Sequence, residues 1–424
     1  LLIIVLNKLI INGILFLLTL FKIKGAISFA SCSPSTEGPT AAEILGNSNY
    51  QAISYGGYRT ISRDTVPSID QIMDDMRILS AMDIIILRTY NTELAELPNL
   101  LKAITELKQE DSSFEMYVMV GAWINCKDAW TENPDHTQGD EVYNGAEVQR
   151  AVQYAQQYPD IIKMIAVGNE AMVHWATSYF VPPSVILKWV NYLQDLKTKG
   201  ELSNDLWITS SDDFASWGGA SDNYHTEDLN RLIAAVDFIS MHTYAFHNSH
   251  YNPDYWHNRD PSLSEIDQID AAMQRAGEFA AGQYNDVKQY MLSLGIDKPI
   301  HIGETGWATV SNGFYGLDGS QAADEYKAKK YYDYLRKWSN ENGVSCFYFE
   351  AFDEQWKDAE NPMGSENHFG LINLQGEAKY ALWSLVDGGV FEDLTRDGKP
   401  ITKTFNGDEN SLVSTLNPPP SVIK

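Results

Sequence analysis

Cysteine is nearly absent, with three in 424 residues, at positions 32, 126 and 346. Spaced so widely and without ligand-spaced histidines nearby, they supply neither a disulfide framework nor a zinc site. Cys126 and Cys346 read as isolated buried thiols. Positive charge is scarce too. Against 57 Asp and Glu stand 31 Lys and Arg, a net charge of −26, and so acidic a surface repels the phosphates of nucleic acid. It suits a solvated surface that keeps an exported protein in solution. The segment SYGGYRTISRD after the first apolar run lacks the G-x-G-x-x-G spacing of a dinucleotide loop. His174, His242, His247 and His257 read as hydrogen-bonding loop or core residues rather than ligands. No metal and no cofactor are expected. Neither an internal repeat nor a linker divides the central part of the chain.

The longest hydrophobic run lies at the start. LLIIVLNKLIINGILFLLTLFKIK has one early lysine and two closing ones, the pattern of an export signal or a short membrane anchor over residues 1–31. FASCSPSTEGPT follows and resembles a bacterial lipoprotein signal, in which Cys32 would become the lipidated first residue. Residues 32–49 read as a polar linker.

Beyond this start, 44% hydrophobic residues against 21% charged provide ample material for a core. Eight short apolar runs recur: AISYGG, IIILRTY, EMYVMVGAW, MIAVGNE, LWITSSDD, VDFISMHTY, PIHIGET and CFYFEAF. Amphipathic stretches separate them, among them SIDQIMDDMRILSAM and ELPNLLKAITELKQE, and GEAKYALWSLVDGG is expected to supply the eighth helix. Runs that are continuously apolar rather than alternating are strands of a parallel sheet covered on both faces. Eight such β–α units predict one (β/α)8 barrel over residues 50–390, with 391–424 as a C-terminal tail.

Chemistry in such a barrel gathers where the strands end. Glu170 ends the fourth strand and Glu304 the seventh, so both face one mouth. Trp123, Trp175, Trp217, Trp307 and Trp356 lie near strand ends, and indoles at a rim suit stacking on sugar rings. Cleavage of a glycosidic bond needs a proton donor for the leaving oxygen and a second carboxylate at the anomeric carbon. The first must keep its proton and the second must lose it.

VGNE and GETGW, with SYGG at strand one, LRTYN at strand two, FEAFDEQWK at strand eight and ENHFGL after it, resemble glycoside hydrolase family 17, the β-1,3-glucanase family. The likeness runs over residues 50–375 with every motif in order. It implies that Glu170 is the acid/base and Glu304 the nucleophile of a retaining double displacement on β-1,3-glucan. It also implies that Asn169 holds the 2-hydroxyl of the sugar being cleaved, that Tyr244 sits beside the nucleophile, and that Tyr55 and Arg88 belong to the substrate site. Glu354, Lys357 and Glu366 match a charged group next to that site. Trp356 departs from the plant members and offers a stacking surface, and Trp307 is expected to floor the subsite beside Glu304.

The stretch AFHNSHYNPDYWHNRDPSLSE (245–265) is long for a loop after a strand. It either packs on itself or walls one end of the cleft, which would turn internal cutting into end-cutting; internal cutting is slightly favoured. The alternatives are an exo-acting β-1,3-glucosidase, a β-1,3-glucan transglycosylase, or a glycan-binding lipoprotein without catalysis. The expected partner is the glucan itself, and the expected state is an exported monomer.

Overall fold

Both faces of each apolar run are covered, and that is why the runs become parallel strands. The computed structural model describes residues 38–421 apart from residue 259; the export segment, Cys32 and Arg259 lie outside the described residues. Eight strands close a barrel: β1 (Gln51–Ser54), β2 (Ile84–Arg88), β3 (Tyr117–Ala122), β4 (Ile162–Asn169), β5 (Trp207–Asp213), β6 (Ile239–His242), β7 (Ile300–Gly306) and β8 (Cys346–Phe349). Ile53 of β1 pairs with Tyr348 of β8 to complete the circle. Within each run the pleat divides the side chains. Ile53, Leu87, Val118 and Ile165 turn outward into the helical layer. Ala52, Ile86, Met119 and Met164 turn inward with Phe347. Two apolar faces leave no alternation to read, and the (β/α)8 barrel expected from the sequence is the observed fold.

Among the described residues seven long helices cover the strands: α1 (Ile69–Ala81), α2 (Glu96–Glu110), α3 (Glu141–Gln157), α4 (Pro183–Thr198), α5 (Glu227–Ala235), α6 (Glu265–Ser293) and α7 (Glu325–Asn342). Their limits follow local chemistry. Ser68 opens α1 with a reciprocal cap to Gln71, and Gly343 closes α7 at a left-handed φ of 64° that costs glycine nothing. On α2 the buried positions Leu97, Leu100, Leu101, Ile104 and Leu107 fall on one stripe of three- and four-residue spacing.

Two expectations are corrected. GEAKYALWSLVDGG does not form a full eighth helix; it holds a two-residue strand (Glu377–Ala378), a 3-10 turn (Tyr380–Leu382) and a short helix (Trp383–Asp387). The C-terminal segment claims its polar groups: Thr402–Lys403 pairs with Glu377–Ala378, and the Trp383 indole donates to Thr404 at 3.1 Å. That segment is strapped to α1 by Arg396, whose Nε donates to the buried Asp75 at 2.9 Å. The same carboxylate also accepts from Arg59 and from the Tyr55 hydroxyl. The second correction concerns the linker. Ala41, Ile44 and Leu45 are buried with the inward-facing residues, so part of residues 32–49 stoppers the barrel where its strands begin. Cys126 and Cys346 are buried and unpaired. Among the described residues no helix is long and apolar enough to cross a membrane.

Candidate active site

The end of β4 is bent to deliver its acid. Gly168 has φ 88° and Glu170 φ 46°, and the Glu170 amide donates to Ser211 O at 3.0 Å. A Cβ on Gly168 would meet Ala171 at 2.9 Å and Ile186 at 3.1 Å, so glycine is needed for both φ and space. A glutamate held in the left-handed region costs free energy that strand pairing alone does not require, a feature that collects at functional sites.

The end of β7 is crowded in a different way. A Cβ on Gly303 would fall 2.0 Å from Ser240 Oγ and 2.5 Å from Ser211 Oγ. The absence of a side chain there admits the two serines, 2.8 Å apart, and Ser211 reaches His242 Nε2 at 2.8 Å. Burial pushes His242 down to about 4, so the ring is neutral at neutral pH. Carboxyl oxygens face Nδ1 and a hydroxyl, which can donate, faces Nε2, an arrangement that suits a proton on Nδ1. Nδ1 points between Glu170 Oε1, 3.2 Å away, and Glu304 Oε2, 3.3 Å away.

Around Glu304 the other donors converge. Arg88 Nη1 lies 2.7 Å from Oε2 and the Tyr244 hydroxyl 2.8 Å from Oε1, and Arg88 Nη2 donates to Asn169 Oδ1 at 2.5 Å. Burial opposes ionisation of Glu304. His242, Arg88 and the bond from Tyr244 together outweigh it and hold the carboxyl below its ordinary value. Among the described residues the Glu170 carboxyl accepts from His242 alone. Burial, followed by the negative charge of Glu304, raises it well above the ordinary carboxylate value. Two acids facing one ring nitrogen are thus poised in opposite protonation states.

A cleft of about 580 Å³ opens from Glu304 toward the loops that follow β1, β2, β3 and β8. Of the residues singled out in the sequence, Tyr55, Arg88, Asn169, Glu304, Glu354, Trp356, Lys357 and Glu366 are brought together here. Arg88 lies beneath Glu304, and the rest line the cleft. Tyr55 shows only part of its ring, because its hydroxyl is spent on Asp75. Lys357 Nζ bridges the buried Glu350 at 2.7 Å and Glu354 at 3.3 Å. Tyr58 and Trp356 line the cleft, and the Tyr58 hydroxyl and the Trp356 indole N–H are buried without a hydrogen-bond partner among the described residues.

Trp307 does not floor the subsite. Its ring is 1% exposed, wedged against Phe246 and Trp256, with its N–H donated to Ala322 O at 2.8 Å. Trp217 is buried likewise, donating to Ser240 O. Trp175 is exposed but lies away from the cleft lining, which leaves Trp123 and Trp356 from the expected rim. In the stretch 245–265, Phe246 and Trp256 are fully buried, and the Tyr255 hydroxyl returns to Ala245 O. None of its described side chains lines the cleft; they pack on the barrel.

Residues 52–370 match the family model described as the BtgE/BtgC glycoside hydrolase domain. The chain belongs to this family. It is 60% identical to a crystallised endo-laminarinase from Formosa Hel1_33_131, covering 91% of this chain and 99% of that one with a TM-score of 0.90. It is 26% identical over 317 residues to a putative glucan endo-1,3-beta-glucosidase of Aspergillus niger, covering 72% of this chain. The chain spans 39% of that relative's length. A glycoside hydrolase family 17 beta-1,3-glucanosyltransferase from Rhizomucor miehei, 17% identical with 78% of this chain and 96% of that one covered, shares the fold at a TM-score of 0.54.

Three residues of this glycoside hydrolase domain escaped the sequence reading as site groups. His242 was grouped with ordinary core histidines, yet its position two residues before Tyr244 puts both side chains on the same face of the chain, a usable signal. Glu96 lines the cleft and accepts from the Gly57 amide; burial and then Glu354 raise it to about 8. At the start of a helix it looked like an ordinary acidic first-turn residue. Trp130, on the hairpin after β3, also lines the cleft.

Proposed function

We propose that this chain is a retaining, endo-acting glycoside hydrolase that cleaves β-1,3-glucosidic bonds in laminarin-type glucan. The observation that carries this reading is the position of His242 Nδ1 between the two acids. Bridging both carboxyls at 3.2 and 3.3 Å suits the retaining separation of about 5–5.5 Å, whereas an inverting site needs roughly 6.5–9.5 Å to seat a water between them. The substrate class is supported by the endo-laminarinase that is 60% identical along almost its whole length.

The ionised Glu304 attacks the anomeric carbon while the bond to the leaving oxygen breaks and Glu170 transfers its proton to that oxygen. Arg88 and Tyr244 steady the attacking carboxylate, and Asn169, held by Arg88, faces the sugar. Ester formation removes the charge of Glu304. Glu170, now without that repulsion, takes a proton from water, whose oxygen displaces Glu304 and restores the β configuration. Transfer to a second sugar in place of water is the alternative outcome of the same intermediate.

The finer assignment is to a bacterial-type member of glycoside hydrolase family 17, supported by the ordered motifs. Export as a monomer, with membrane attachment through a lipidated Cys32, is supported by the apolar run and small-residue site that precede that cysteine. Proton NMR of the first products from linear β-1,3-glucan tests the reaction. Internal cutting with retention yields β-anomers of mixed length; α-anomers, or an untouched polymer, would sink the proposal.

A further inference from the structure

Trp130 is an exposed indole in a place that costs free energy to maintain. It belongs to the turn of a hairpin formed by Cys126–Lys127 and Asp135–Gly139. Its φ is 63°, in the region that bulky side chains avoid. Its ring is 61% exposed, although an apolar surface of that size gains from burial. Neither feature helps folding, and yet the ring is fixed firmly. Its amide donates to Ser178 O at 2.9 Å. One face stacks on Tyr179, with centroids 5.0 Å apart and planes 25° apart. Its indole N–H reaches Asn125 Oδ1 at 3.3 Å, an oxygen that also accepts from Trp123 at 2.8 Å. Asn125 is itself locked by Asn144 through bonds of 2.8 Å in both directions.

The hairpin is fastened a second time. His136 stacks on Phe180 at 3.7 Å and bonds its carbonyl. Trp123, Tyr179 and Trp130 therefore form one rigid aromatic wall that ends in solvent, with Trp123 and Trp130 on the cleft lining. A strained, preorganised aromatic with an open face matches the flat apolar face of a pyranose ring, and the side-chain entropy of binding has already been spent in folding.

We infer that Trp130 is the stacking surface of an outer subsite, occupied by a glucosyl unit of the β-1,3-glucan chain remote from the bond being cut, and that it sets the enzyme's preference for long chains. The inference rests on the proposed glucan hydrolysis.

Its test is a ladder of linear β-1,3-linked oligomers from the disaccharide to the octasaccharide, with long linear glucan at the top, measured for kcat/KM. In the wild type kcat/KM climbs with length until the Trp130 subsite is filled. In Trp130→Ala the last step of that climb is lost, so long glucan suffers about tenfold more than the shortest cleaved oligomer, the size of one aromatic stacking contact. Trp130→Tyr restores most of the step. Circular dichroism and melting of both variants register any loss of the fold. A uniform loss along the ladder, an unchanged ladder, or failure of the Tyr variant to restore the step would each overturn the inference. A wild type that cleaves no β-1,3-glucan would instead overturn the function beneath it.

Discussion

The strand ends at Glu170 and Glu304 carry the same side chain into the same mouth, yet the surrounding protein treats them oppositely. Glu304 has an arginine and a tyrosine hydroxyl bonded to its two oxygens, with an imidazole nitrogen 3.3 Å away. Among the described residues Glu170 has the imidazole alone, and it faces the charge of its neighbour. Burial disfavours ionisation of both. What separates them is the number of donors, and the extra ones, Arg88 and Tyr244, come from β2 and from the turn just after β6. A carboxylate's role in such a site is therefore written less in its own position than in β2 and β6.

The strongest test of this asymmetry removes each charge in turn. Glu304→Gln and Glu170→Gln should each lower kcat on glucan by about 10²–10⁴ or more while melting near the wild-type temperature. They should part on an aryl glucoside with a good leaving group. That substrate needs no proton donor, so bond cleavage returns in Glu170→Gln and stays absent in Glu304→Gln. Equal rescue of both would erase the distinction between acid and nucleophile.

The next test strips Glu304 of its strongest donor. Arg88→Met leaves a buried carboxylate without its guanidinium, a loss of about 3–5 kcal/mol when the group is forced to stay charged. In the wild type the lowered Glu304 stabilises the fold above the unfolded carboxylate value, and that contribution fades as pH falls through the folded one. The variant should reverse this slope. Its Glu304 titrates higher, so the stability deficit measured by urea unfolding should grow with rising pH, and the acid limb of kcat/KM should move upward. A deficit independent of pH would mean that Arg88 serves packing rather than charge.

The barrel was legible because its signal is long: eight runs apolar on both faces, separated by helical stripes, admit few other architectures. Glu170 and Glu304 were legible because each breaks such a run at its mouth end. The tryptophans were not. Trp307 and Trp130 both follow a strand by a few residues, but a carbonyl at Ala322 lets the first be buried, while a left-handed turn holds the second out in solvent. Whether an indole goes in or out depends on one distant acceptor, and no local pattern records it. The eighth helix failed for a similar reason, since Thr402–Lys403 pairs with its first residues from far along the chain.

The smallest effect bears most closely on the two-step chemistry. In the covalent intermediate Glu304 is an uncharged ester, and Glu304→Gln mimics that state without substrate. If the charge of Glu304 helps keep Glu170 protonated, as burial does first, the substitution leaves burial in place but removes the repulsion. Arg88 remains nearby and favours the ionised form. The titration of Glu170, followed by carbon-13 NMR of its carboxyl, should therefore move downward in Glu304→Gln relative to wild type. The sign matters because the acid of the first step must become the base of the second, and a lower value in the uncharged state supplies that change without any movement of the protein. An unmoved titration would mean that burial alone poises Glu170. The switch from acid to base would then have to come from the incoming water or from the sugar, and not from the partner carboxylate.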